Sequence, residues 1–149
     1  MSAGIGPKQR ADPHRRWSLS ERASLAKEIT LTYVWARRQI NRTSVDRAAA
    51  LARGGRDAVR RTDRDGVEYQ VALRLGRIVE RRLSHLPGDT RCLTRSVVLV
   101  RMLARRGIDA RLVIGAHTQP DFTAHAWVEL DGHPLLDPLD YQSGRLTEI

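Results

Sequence analysis

Cysteine is nearly missing from this chain: Cys92 is the only one in 149 residues. An internal disulfide is therefore impossible, and a tetrahedral thiolate metal site cannot be assembled within one chain. Lysine is almost as rare. Lys8 and Lys27 are the only two, so 24 of the 26 basic residues are arginine, a bias that suggests a GC-rich bacterial genome. Aromatic residues make up 5%, which leaves Leu, Val, Ile and Ala to fill the core. No apolar run approaches the roughly 20 residues that a membrane-spanning helix needs. Met1 to Pro13 is polar and lacks the apolar stretch and small-residue site of a secretory signal, so a cytoplasmic location is expected.

What is present fits one domain with an ordinary core, since 41% of the residues are hydrophobic. The net charge of +9 is unevenly placed. Residues 1–89 hold 19 basic and 10 acidic residues, whereas residues 90–149 hold 7 of each. Such a field favours an acidic partner, a nucleic acid or an anionic membrane surface; a solvated, codon-biased helical surface is the plain alternative. No basic–aromatic interleaving or nucleic-acid motif accompanies the charge, so no nucleic-acid partner is expected.

Residues 1–16 carry Gly, Pro and charge without periodicity and are expected to be disordered. Residues 17–149 then read as a single unit, a basic helical part over 17–86 and a core over 87–149 of mixed helix and strand. Ser18 and Glu21 have capping-box spacing, and the helix that follows places Leu25, Ile29, Tyr33, Ala36 and Ile40 on one stripe. A second, Ala-rich helix runs from about Ser44 to Arg53 and is ended by Gly54 and Gly55. Val71, Leu75, Ile78 and Val79 mark a third helix within 67–83, broken at Pro87-Gly88. Asp89 or Thr90 can cap a fourth, carrying Leu93, Val97, Val100, Leu103 and Ala104 and closed by Gly107. Three strands follow, at 108–116, 124–130 and 133–137, the last two joined by a hairpin at Asp131-Gly132. The expected class is α+β, with a helix packed on a small antiparallel sheet.

Cys92 falls in the first turn of its helix, where free N–H groups and the helix dipole favour the nucleophilic thiolate. A buried structural cysteine is the competing explanation. His125, near the start of a strand, can serve as a base if a carboxylate orients it. The hairpin register decides whether Asp137 can do so. A two-residue turn pairs Leu130 with His133 and puts His125 and Asp137 on opposite faces. A three-residue loop over 130–132, with Gly132 left-handed, pairs Glu129 with His133 and sets His125 directly opposite Asp137. The second register yields a nucleophile, a base and an orienting acid, a set that needs no metal and no other cofactor. Asp131 and Asp140 are rival carboxylates, Asp131 being better explained by turn chemistry.

The stretch RCLTRSVVLVRMLARRGIDARLVIGA followed by AHAWVELDGHPLLDP resembles the transglutaminase-like cysteine protease of lasso-peptide biosynthesis, the B protein or leader peptidase. The resemblance covers roughly residues 83–138, with spacings of 33 residues from Cys92 to His125 and 12 more to Asp137. It implies a transglutaminase/papain-like core with Cys92 as nucleophile, His125 as base and Asp137 as third member. It also implies a substrate, a ribosomally made precursor peptide whose leader is cut away through an acyl-enzyme, and a separate ATP-dependent cyclase that closes the ring. The helical, Arg-rich residues 1–89 lack the alternating strands of a winged-helix recognition module. The chain thus looks like the stand-alone protease half of a split system, with a separate leader-recognition protein as partner, and the basic first half is a candidate surface for that partner or an acidic leader.

Trp127 shares a strand face with His125 and is a candidate wall of the site, as are His117 in the loop before the strand and Arg91 beside Cys92; Arg95 also flanks the thiol. Two other functions fit the same residues: amide exchange with an amine, and a catalytically silent transglutaminase-like module that binds an acidic protein or peptide.

Overall fold

The computed structural model describes residues 18–54, 66–85, 92–117, 123–135 and 144–148. Within them lie four helices, α1 (Leu19–Arg42), α2 (Val45–Arg53), α3 (Val67–Leu83) and α4 (Cys92–Arg105), followed by strands β1 (Arg111–His117), β2 (Thr123–Leu130), β3 (His133–Pro134) and β4 (Gly144–Glu148). The strands form an antiparallel sheet in the order β3-β2-β1-β4. The architecture is α+β, as the order of helical and alternating patterns predicts. β4, on the far edge of β1, is an addition to the three strands expected; the expected disordered segment 1–16 lies outside the described residues.

Local chemistry explains the helix ends. Ser18 accepts from the Glu21 N–H and Glu21 accepts from the Ser18 N–H, closing the capping box of α1. Ser44 caps α2 through the Arg47 N–H, and Gly54 ends it in the left-handed conformation, φ 75°. α4 ends in a Schellman motif around Gly107, φ 79°: the Gly107 N–H donates to the Ala104 carbonyl and the Ile108 N–H to the Leu103 carbonyl. That motif corrects one strand boundary. Ile108 is 5% exposed because it is the apolar residue of the helix cap, and the strand begins only at Arg111.

α4 is the centre of the molecule. Six apolar side chains between Val97 and Leu103 are no more than 1% exposed, so the helix is buried on nearly every side rather than along one stripe. α1, α2 and α3 pack around it, and Ala126, Val128 and Leu130 of β2 join the same cluster. Burial of each such Leu or Val contributes about 1.5–3 kcal/mol relative to exposure. Arg101 escapes this surrounding by lying over the Trp35 ring, 3.8 Å from its centroid, and donating to the Leu51 carbonyl. At the end of α4, Arg106 holds Glu28 of α1 through two hydrogen bonds of 3.1 and 2.7 Å.

The hairpin adopts the two-residue register: Leu130 pairs with His133 and Glu129 with Pro134. Asp131 and Gly132 both have positive φ, 50° and 80°, which is the type I′ turn that matches strand twist. Burial explains the choice. In this register Leu135, 3% exposed, comes opposite Val128 and donates its N–H to the Val128 carbonyl, on the core face with Leu130. The three-residue loop would set Leu135 opposite Trp127 and turn it away from that core. The pairing that would bring Asp137 opposite His125 is therefore not the one formed. Asp137 itself lies outside the described residues.

Candidate active site

Alternate residues of a strand direct their backbone groups to opposite edges. On the β3 side of β2, Leu130 and Val128 find the hairpin, and Ala126 finds α4 instead. The Ala126 N–H donates to Cys92 Sγ at 3.4 Å, and Ser96 Oγ, one helical turn further on, donates to the Ala126 carbonyl at 3.1 Å. Both groups of one strand residue are thus taken by one face of α4. Ser96 is fully buried, so the carbonyl has no water to fall back on. This clamp occupies the groups a longer β3 ladder would need, and it sets the start of α4 against the peptide that joins His125 to Ala126.

Cys92 is half-buried and is the first residue of α4, where the backbone N–H groups lack helical acceptors. A sulfur carrying negative charge there faces the positive end of the helix dipole and accepts from the Ala126 N–H. His125 is half-buried on the opposite face of β2 from Ala126. Its pKa lies below the ordinary 6.5, first because burial disfavours the imidazolium and then because of the positive charge of Arg95. Both effects favour the neutral ring, the form that can take a proton. Arg95, three residues along α4 from Cys92, also pairs with Glu80 of α3 at 3.7 Å.

Beneath the imidazole lies Trp127, its ring nearly parallel at 19° with centroids 6.1 Å apart. Trp127 is 6% exposed, and its Nε1–H donates to Glu129 Oε1 at 2.7 Å. Glu129 is itself buried at 7%, so His125, Trp127 and Glu129 form a column along one strand face, each residue fixing the next.

A family model described as the transglutaminase-like superfamily matches residues 29–149. The chain belongs to the transglutaminase-like superfamily. It is also 54% identical over 46 residues to the microcin J25-processing protein McjB of Escherichia coli, a stretch covering 31% of this chain and 22% of that protein. The chain thus matches less than a quarter of this relative's length. No solved structure matches.

Within this transglutaminase-like chain, the structure brings Cys92 and the His125–Ala126 peptide together and stacks Trp127 on His125, as the strand alternation predicts. Arg91 and Asp137 lie outside the described residues, as does the side chain of His117, whose backbone pairs with Thr123 at the end of β1. Three participants escape the sequence reading. Ser96 had one available signal, its spacing of four from Cys92. Glu129 is two from Trp127 on a strand and so shares its face. Glu80 carries no signal, because its approach to Arg95 depends on how α3 crosses α4.

Proposed function

We propose that this chain is a cysteine peptidase that cuts the leader from a ribosomally made lasso-peptide precursor. The single observation that carries the reading is the Cys92 thiol at a helix start, held at 3.4 Å by the N–H that follows His125. In the proposed reaction neutral His125 takes the thiol proton, and Cys92 Sγ attacks the leader–core carbonyl carbon. The resulting oxyanion accepts from the Cys92 backbone N–H. His125 then returns the proton to the departing amine, which leaves as the N-terminus of the core. Water attacks the thioester while His125 takes its proton, the carbon–sulfur bond breaks to release the leader as a carboxylic acid, and the expelled Cys92 thiolate recovers the proton from His125. Asp137 is proposed as the acid that orients His125; this rests on the family pattern and not on strand register. Trp127 supports the imidazole from below, and His117 and Arg91 are proposed at the substrate lip.

Processing of microcin J25 is what the matching Escherichia coli protein is named for, and the sequence resemblance over residues 83–138 supports a precursor-peptide substrate here. A winged-helix recognition protein and an ATP-dependent cyclase are the proposed partners, with the reaction in the cytoplasm. Among the described residues no helix is long and apolar enough to cross a membrane.

Mass spectrometry of the precursor peptide encoded beside this gene, incubated with the protein and its recognition partner, tests the proposal. One leader–core cleavage, abolished in Cys92→Ala and His125→Ala and strongly reduced in Asp137→Asn, is the expected result. An uncleaved precursor with folded protein and partner present would replace the peptidase with a binding module. Transfer of an added amine to the precursor would replace hydrolysis with amide exchange.

A further inference from the structure

The first half of the chain holds a concave site that the peptidase chemistry does not use. α1 and α3 part to leave a cavity of about 660 Å³, whose lining includes Arg22 and Leu25 from α1 and Arg74, Ile78, Arg81 and Arg82 from α3. Among the described residues none that lines it is acidic. The α3 members recur at intervals of four, three and one, so they share one face of that helix, and Arg22 faces them across the gap. Arg22, Arg81 and Arg82 are exposed, and among the described residues none of the three has a carboxylate partner. Three arginines of α4 and its end are instead engaged: Arg106 with Glu28, Arg95 with Glu80, and Arg101 with Trp35 and Leu51.

Gathering like charges on two facing helices costs free energy, which an anionic ligand would offset. The chemistry narrows the ligand further. Guanidinium groups take carboxylates through paired hydrogen bonds, and the apolar floor formed by Leu25 and Ile78 suits an aliphatic side chain between them. The cavity has the size of a few side chains, and among the described residues its walls carry no Phe, Tyr or Trp on which a nucleobase would stack, the one ring there being the His85 imidazole. We propose that the α1–α3 groove is a docking site for an acidic peptide segment, one carrying two or more carboxylates beside an apolar residue. The α3 helix that lines the groove also contacts α4 through Glu80 and Arg95, so one helix separates a docked chain from the element bearing Cys92. The site stands on the groove alone and is independent of the peptidase reading.

The test is binding, measured by fluorescence anisotropy on the full chain carrying Cys92→Ala so that cleavage plays no part. The probe is a short labelled peptide of Glu and Leu, with its Gln-and-Leu counterpart as the neutral control. The Glu peptide is expected to bind, more weakly as salt rises from about 50 to about 300 mM, and the Gln peptide is not. Reversing the groove with Arg22→Glu, Arg81→Glu and Arg82→Glu should weaken binding at least ~10-fold. Arg38→Glu, Arg42→Glu and Arg77→Glu change the net charge equally outside the groove and should weaken it no more than ~2-fold. Circular dichroism checks folding, and Arg81→Gln with Arg82→Gln replaces the triple reversal if that variant unfolds. Equal losses in the two triples, equal binding of the Gln peptide, or an oligothymidylate that binds the groove more tightly than the Glu peptide would each overturn the proposal.

Discussion

Ser96→Ala isolates the contact that seats α4 on the edge of β2. The hydroxyl donates at 3.1 Å to the Ala126 carbonyl, and the residue is fully buried. Removing the donor forfeits a hydrogen bond worth about 1 kcal/mol net and leaves a buried carbonyl unsatisfied, which together cost about 1–3 kcal/mol. Alanine is the better helix former and returns roughly 0.5 kcal/mol. The missing oxygen leaves a void too small to add much. The balance is a loss of about 1–2 kcal/mol, or a fall in Tm of roughly 3–7 °C for a chain of this size. Chemical denaturation followed by far-UV circular dichroism measures it, with Ser84→Ala as the control. Ser84 also donates to a carbonyl, that of Arg81, but at an exposed helix end, and its loss should stay within about 0.5 kcal/mol. A Ser96→Ala variant as stable as the parent would refute the clamp, because it would mean that water or another donor reaches the Ala126 carbonyl. The clamp also predicts an effect on the thiol: with β2 less firmly held, alkylation of Cys92 should change in Ser96→Ala and not in Ser84→Ala.

The Glu28 carboxyl is held below its ordinary value of 4.5, chiefly by the Arg106 hydrogen bond, so its contribution to stability is present above that value and lost as pH falls through the lowered one. Glu28→Gln should therefore cost about 0.5–1 kcal/mol at neutral pH and low salt, screening included, and flatten the acid side of a Tm-against-pH curve; an unchanged acid slope would contradict this. His125 should titrate below 6.5 in an NMR experiment on its ring protons, and Arg95→Gln should move it upward by removing a positive neighbour. Because the folded-state value is lowered, the unfolded chain binds the proton more readily, and this histidine withdraws stability as pH falls below 6.5; an Arg95→Gln value that stays put or drops would be contrary to the geometry. Gly132→Ala should cost about 1–2 kcal/mol although a new Cβ would meet nothing within 4 Å, because φ is 80° there. A thermal melt that shows no loss would mean the turn relaxes to another type.

Much of the chain is legible from local chemistry. A serine followed three residues later by glutamate starts α1 because those two side chains satisfy its first N–H groups, wherever the helix later packs. The glycines at 54 and 107 end helices by the same kind of short-range reasoning, and the period-two pattern from Ala124 to Leu130 makes a strand whose alternation puts Trp127 under His125. The candidate nucleophile and base are readable for the same reason: a cysteine at a helix start and a histidine at a strand start are local facts, and the resemblance ties them together. Tertiary structure decided what depends on competing partners. The hairpin could close with two residues or three, and burial of Leu135 opposite Val128 selected two, which removed the strand register as a ground for pairing Asp137 with His125. α4 reads as amphipathic but is buried on nearly every side, because three helices and a sheet converge on it. Ser96, Glu80 and the facing arginines of α1 and α3 acquire their roles only when elements distant in sequence are brought together. Sequence patterning fixes which face of an element seeks a partner; the packing of the whole chain fixes which partner it finds.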